Sequence, residues 1–130
     1  MTIDSDRLQS IAANYTEAWN SGRPESVAAF FSPTGEISIN GGEPFRGREG
    51  VANMAAGFYA DVPELRLVCD AVRASENRAV YLWTFTGTHA TTNRELNVFG
   101  WEEWDLDDGG LIERSRGNFD AEDYSRQAGI

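Results

Sequence analysis

The chain holds one cysteine, Cys69, and one histidine, His89. A lone cysteine excludes an internal disulfide framework and fits a reducing interior. Without further histidines or paired cysteines the ligand set of a zinc site is missing, and no metal is expected. Basic side chains are scarce as well: 11 Lys+Arg stand against 21 Asp+Glu, a formal net charge of -10. No cluster of cations is present to neutralise phosphates, which argues against nucleic acid and anionic membrane surfaces as partners. No apolar run approaches the roughly 18 residues that span a bilayer. The opening Met1-Thr-Ile-Asp-Ser-Asp6 is acidic and polar where a secretion signal is basic and then apolar, so a soluble, cytoplasmic protein is expected. There is no glycine-rich dinucleotide loop after a suitable strand, and Gly47-Arg-Glu-Gly50 lacks the lysine of a phosphate-binding loop; no cofactor is expected.

What is present fits one domain with one pocket: 130 residues, 41% of them hydrophobic, bury a single core but not two. Leu8, Ile11, Ala12, Tyr15, Ala18 and Trp19 recur at three-and-four spacing and predict a helix over 6–21, stopped by Gly22. Pro24 opens a short second helix through Val27, Ala28, Phe30 and Phe31, ended by Ser32-Pro33. Glu36-Ile-Ser-Ile-Asn40 alternates as a strand. Val51, Met54, Ala55 and Phe58 predict a third helix that stops before Val62-Pro63. The second half changes to β-branched and aromatic runs, 65–74, 78–90, 95–106 and 111–119, read as four long antiparallel strands. Asp107-Asp-Gly-Gly110 is a hairpin turn between the last two. Its acidic residues invite a calcium reading, but a calcium-binding helix-loop-helix needs further ligands at fixed positions, and strands flank this loop. Helices first and a meander afterwards predict an α+β fold in which a strongly curved antiparallel sheet wraps the helices as a cone, apolar inside and open at one end, where a small apolar molecule would bind.

The order of these elements, with Tyr15-Thr-Glu-Ala-Trp-Asn20, Phe45-Arg-Gly-Arg-Glu-Gly50, Thr86-Gly-Thr-His89 and the closing Asp120-x-x-x-Tyr124-x-x-Gln127-Ala-Gly129, resembles the SnoaL-like polyketide cyclase family of the nuclear-transport-factor-two-like superfamily. The likeness covers nearly the whole chain. It implies cofactor-free acid/base chemistry of the cyclase or isomerase type, in a superfamily that also holds epoxide hydrolases, dehydratases and domains that only bind ligands or pair. It also implies a homodimer. The family's catalytic aspartate falls on Asp120 and its Gly-Thr-His histidine on His89, while Tyr124 and Ala128 stand where leucines are usual. The family spaces a glutamate an even number of residues before that aspartate, whereas Glu113 lies an odd number before Asp120. Strand side chains alternate faces, so a bulge must absorb the extra residue, with Gly117 as its site, or Asp120 turns outward.

In an apolar cone, desolvation would make Asp120 a stronger base toward an acidic C–H; the bland alternative is that Asp120 caps the terminal helix. His89 follows Tyr81, Trp83, Phe85 and Gly87 on one alternating face and is a candidate proton partner or oxyanion donor, or a hydrogen-bonded structural residue. Tyr15, Trp19 and Tyr59 lie on apolar helix faces, where core filling competes with substrate contact, and Tyr15 is the best oxyanion donor on the first helix. Asn40 at a strand end, Trp101 and Asn118 complete the expected substrate-binding set. Phe99, Trp101 and Glu103 alternate with Val98, Gly100, Glu102 and Trp104, so both faces of that strand carry aromatics and a carboxylate; either is a candidate inner face, and the other a pairing surface. The tandem Glu102-Glu103 is expected to be half solvated. Arg114 and Arg116 share a face with Asn118 and Asp120, an arrangement with one carboxylate too few for epoxide hydrolysis.

Overall fold

A computed structural model describes residues 2–130. The elements run α1 (Ser5–Asn20), α2 (Pro24–Ala28), β1 (Phe31–Ile39), β2 (Phe45–Arg46), α3 (Gly47–Asp61), β3 (Arg66–Ser75), β4 (Arg78–Thr88), β5 (Glu95–Leu106), β6 (Ile112–Phe119) and α4 (Ala121–Ala128). The strands form one sheet in the order β2-β1-β6-β5-β4-β3. The first and last strands in this order do not pair, so the sheet is curved but unclosed. The fold is α+β, as the element order predicts. No helix among the described residues is long and apolar enough to cross a membrane.

Local chemistry accounts for most of the boundaries. Asp4 caps α1, its side chain accepting from the Asp6 N–H at 2.9 Å, and Leu8, Ala12, Tyr15, Ala18 and Trp19 form the buried stripe. Pro24 sits in the first turn of α2, where its missing N–H costs nothing. α2 is shorter than expected. Phe30 leaves it and Phe31 already belongs to β1, so Ser32-Pro33 lies in a strand rather than at a helix stop. Proline is tolerated there because β1 slips register against β6 between Phe31 and Glu36, leaving ladder positions that need no N–H donor. β1 runs parallel to β6 and carries the two-residue β2 on its other edge. The four strands β3 to β6 form the expected antiparallel meander.

Alternation on β5 resolves the question of faces. Leu96, Val98, Gly100, Glu102, Trp104 and Leu106 are buried, and Phe99 and Trp101 are exposed. The expectation that Glu102 and Glu103 are half solvated together is therefore incorrect: Glu102 is 5% exposed, and its neighbour points to the outer face. The bulge is also displaced from Gly117. Leu106 pairs with Ile112 while Asp105 pairs with Arg114, so Glu113 is the extra residue, and Gly117 lies in regular register opposite Glu102. From there Ser115 and Gly117 face inward, and Arg116 and Asn118 share the outer face with Trp101 and Glu103. The turn after β5 follows the expected hairpin: Asp107 accepts from the Gly109 and Leu111 N–H groups, each at 2.9 Å, and Gly110 adopts φ 83°.

Candidate functional site

Inside the cone, the concave face of the sheet and helices α1 and α3 enclose a cavity of about 50 Å³. Aliphatic and aromatic side chains dominate its wall: Trp19 from α1, Met54 and Phe58 from α3, Trp83 and Phe85 from β4 and Phe119 from β6. Glu102 of β5 is the one ionisable side chain lining it among the described residues. Gly117, opposite Glu102 in the ladder, also lines the cavity. A Cβ there would lie 3.2 Å from Ile39 Cδ1 and 3.9 Å from Glu102 Cγ, so glycine keeps the space beside the carboxyl open.

Burial of a carboxylate is costly unless its oxygens are hydrogen-bonded. Ser115 donates to Glu102 Oε1 at 2.7 Å, Trp104 Nε1 donates to the same oxygen at 3.0 Å, and the Tyr15 hydroxyl is shared between Oε1 and Oε2 at 3.0 Å each. Oε1 is thus crowded with donors, whereas Oε2 receives only one arm of the Tyr15 bond. Burial pushes the Glu102 pKa above its ordinary 4.5, and the bonds from Trp104, Ser115 and Tyr15 pull it part of the way back. Tyr15 is itself held far above the ordinary phenol value, by burial first and the neighbouring Glu102 charge second, with Trp19 acting in the opposite direction. Tyr81 stacks on Trp104 at 5.0 Å between centroids and stiffens this wall. A carboxyl kept dry, with its pKa raised and its oxygens fixed by three donors, is suited to giving and taking a proton.

The profile of the SnoaL-like domain matches residues 12–114. The chain belongs to the SnoaL-like domain family. Solved structures carry the same fold. A protein with a ketosteroid-isomerase-like fold from Catenulispora acidiphila DSM 44928, in complex with trimethylamine, superposes with a TM-score of 0.85 at 15% identity over 92% of each chain. TsrD from Streptomyces laurentii gives 0.84 at 22% identity over 98% of each chain. A candidate SnoaL-like polyketide cyclase from Jannaschia sp. CCS1 gives 0.80 at 14% identity, covering 100% of this chain and 99% of that one. At these identities the likeness establishes the fold alone. No curated protein matches the chain.

Of the side chains expected at the site of this SnoaL-like domain, Trp19 lines the cavity and the others do not. Tyr15 stands directly behind the wall, bonded to Glu102. Asp120 is exposed and caps α4, accepting from the Asp123 N–H at 3.0 Å. His89 is buried just past the end of β4, where its Nδ1 accepts from the N–H groups of Thr91 at 3.2 Å and Thr92 at 3.4 Å, and its ring meets Tyr124 edge-on. Asn40 accepts from the Phe119 N–H at 2.9 Å and ties the end of β1 to β6. Tyr59 donates to the Trp19 carbonyl at 2.8 Å. On the outer face, Trp101 donates to Glu103 at 3.0 Å and Asn118 to the Arg116 carbonyl at 3.2 Å. Arg116 lies 3.7 Å from Glu103 and 3.5 Å from Asp105, also outside the cone. Glu102, the carboxyl in the cavity wall, is not among the expected site residues, and its signal in the sequence was a carboxylate sharing the alternating face of Val98, Gly100 and Trp104.

Proposed function

We propose that this SnoaL-like domain is a cofactor-free acid/base enzyme of the cyclase or isomerase type, acting on a small apolar carbonyl compound, with Glu102 rather than Asp120 and His89 as the proton carrier. The observation that carries the reading is a hydrogen-bonded carboxyl, 5% exposed, in the wall of an otherwise apolar cavity. Oε2, the less occupied oxygen, removes a proton from the carbon next to the carbonyl; the C–H electron pair moves into an enolate, and Glu102 returns the proton to the same or another carbon. Low dielectric strengthens the base in the ground state, and the Tyr15 bond steadies the charge as it shifts. The chain contains no lysine, so its side chains offer no amine for imine formation with a carbonyl. A cavity of about 50 Å³ is well below the roughly 300 Å³ at the lower end of drug-sized pockets, which favours a compact substrate over a large polycyclic one.

The test is solvent deuterium exchange at the α-carbon of cyclopentanone, followed by proton NMR. The wild type should accelerate exchange, and Glu102→Gln should lose on the order of a hundredfold or more of that acceleration. Asp120→Asn should retain it. Binding of the ketone without exchange would move the reading to a ligand-binding module.

The aromatic lining favours a second, non-catalytic reading. Trp19, Phe58, Trp83, Phe85 and Phe119 around one carboxyl resemble a cage for a small alkylammonium ion, held by ring faces and an ionised Glu102. Binding of trimethylamine by one fold neighbour makes its protonated form, trimethylammonium, the natural probe. Calorimetric binding of trimethylammonium that is lost in Glu102→Gln, without ketone exchange, would establish it.

In either reading the partner is a small molecule, nucleic acid has no basic surface to bind, and the setting is the reducing cytoplasm in which Cys69 stays a thiol. The protein pairs as a homodimer through the outer sheet face. Phe99 is 75% exposed and Trp101 41%, and the ladder joins them to the exposed Leu82 and, through Thr84, to Val68. Exposed aromatics on one continuous face are a pairing surface.

A further inference from the structure

We infer that Gly117 is a specificity-determining residue: the gap left by its missing side chain is where the ligand comes against Glu102, and the size of that gap limits what reaches the carboxyl. The inference rests on the reading of the cavity as a ligand site, but not on Glu102 being a base. Glycine inside a strand weakens it, and the usual causes of its presence are a positive φ, a bulge or bend, close approach of another backbone, or a ligand. Only the last holds at Gly117. The glycines with positive φ are Gly22, Gly41, Gly47, Gly110 and Gly129. The bulge between β5 and β6 falls at Glu113, and Gly117 is in regular register. At Gly35 and Gly100 a Cβ would come 2.7 Å from the Ile112 carbonyl oxygen and 2.2 Å from that of Asn118, so packing demands glycine there. At Gly117 the nearest atom of another backbone is the Ser38 carbonyl oxygen at 3.5 Å, an ordinary contact, and the tighter contact is with Ile39 Cδ1, the tip of a side chain that can give way.

The sheet sets where this gap sits. Gly117 pairs with Ile39 of β1 on one side and with Glu102 of β5 on the other, and Phe119 follows it on the same inward face of β6. All four line the cavity. Among the lining residues Ile39, Phe58 and Phe119 are half-buried and the others buried, so the cavity opens to solvent on their side. Gly117 therefore lies between that opening and the carboxyl, and a ligand moving inward crosses β6 where no side chain stands. A Cβ there would lie 3.9 Å from Glu102 Cγ. A methyl group at that point occupies space that the α-carbon of a ketone, with any substituent on it, needs in order to meet the carboxyl. Glycine thus admits a ligand substituted at this carbon, and alanine would shorten the accepted ligand by about one methyl group.

The experiment compares the full chain with Gly117→Ala. The variant should melt no lower than the wild type, because alanine suits a strand interior better than glycine, and the Glu102 carboxyl carbon should keep its titration. Cyclopentanone and 2-methylcyclopentanone are titrated into both proteins, and xenon, an apolar atom that enters dry cavities, is applied under pressure. The expected result is that the variant loses about tenfold or more in affinity for 2-methylcyclopentanone, the worth of one methylene in an apolar pocket, and less for cyclopentanone. Xenon should shift the Gly117 amide and Glu102 carboxyl signals of the wild type and leave those of the variant in place. Equal affinities of the two proteins for both ketones overturn the inference, as does a variant that melts lower and loses the Glu102 titration, which would assign the glycine to packing. Should neither ketone bind the wild type, the xenon shifts decide: their absence from the wild type or persistence in the variant overturns the inference. Retention of α-exchange by Glu102→Gln, with ketone binding lost in Gly117→Ala, would instead remove Glu102 as the base and leave Gly117 in its role.

Discussion

Glu102 combines two opposed demands, since the donors around it favour the carboxylate and the dry wall favours the acid. Burial dominates, so its native pKa lies above 4.5. Between that ordinary value and the raised one, the native state binds more protons than the unfolded state. Stability from this group is therefore full at lower pH and is lost as pH rises through the window. Glu102→Gln removes the titration. Thermal unfolding across a pH series should show the melting temperature of the variant gaining on the wild type from about pH 4.5 upward and then holding a constant offset; parallel profiles would contradict the raised pKa. Tyr15→Phe should raise the Glu102 titration further and cost about 1 kcal/mol of stability, the net worth of a hydrogen bond, checked by denaturant unfolding. At this scale the sequence was half legible. Asp120 followed by Ala-Glu-Asp already spelled a helix cap, and α4 uses it as one. Glu102 was hidden because both faces of β5 carry aromatics and an acid, and alternation identifies faces without saying which is inside.

The elements carry the site through register. One residue of slip on β5 would put Glu102 outside and Trp101 inside, and the close packing of Gly100 guards against it. A Cβ at Gly100 would come 2.2 Å from the Asn118 carbonyl oxygen and 2.7 Å from the Trp83 ring. Gly100→Ala should cost about 1–3 kcal/mol or more through overpacking, with a change in tryptophan fluorescence as Trp83 is displaced. Asp120→Ala should cost about 1 kcal/mol as a lost N-cap while α-exchange persists; loss of exchange with stability unchanged would return the base to Asp120. The helices and the meander were readable because their apolar periods are local. β1 was read too short because its pairing with β6 is parallel and joins Phe31 to Ile112 across the chain, a contact no local pattern announces. The bulge was sought at glycine for its backbone freedom, yet Glu113 takes it, with its side chain bonded to Ser32 and Thr34 of β1.

The whole molecule presents an acidic exterior with one apolar stretch, Val68, Leu82, Phe99 and Trp101, on the convex sheet. With a net charge of -10, two copies repel at long range, so the proposed homodimer would draw its attraction from this stretch and should strengthen as salt screens the repulsion. Phe99→Glu should convert a dimer to a monomer in sedimentation equilibrium without changing α-exchange, since Phe99 faces away from the cavity. The α+β class and the cone were visible from the order of helices and strands, whereas the size of the cavity was not, because five aromatic side chains from four separate elements set it. The central claim is that Glu102 is the proton-carrying group of that cavity. Its most direct test is the titration of the Glu102 carboxyl carbon by NMR, with and without cyclopentanone. The account predicts a midpoint above 4.5 that moves when the ketone binds; a midpoint at or below the ordinary value, indifferent to the ketone, would contradict it.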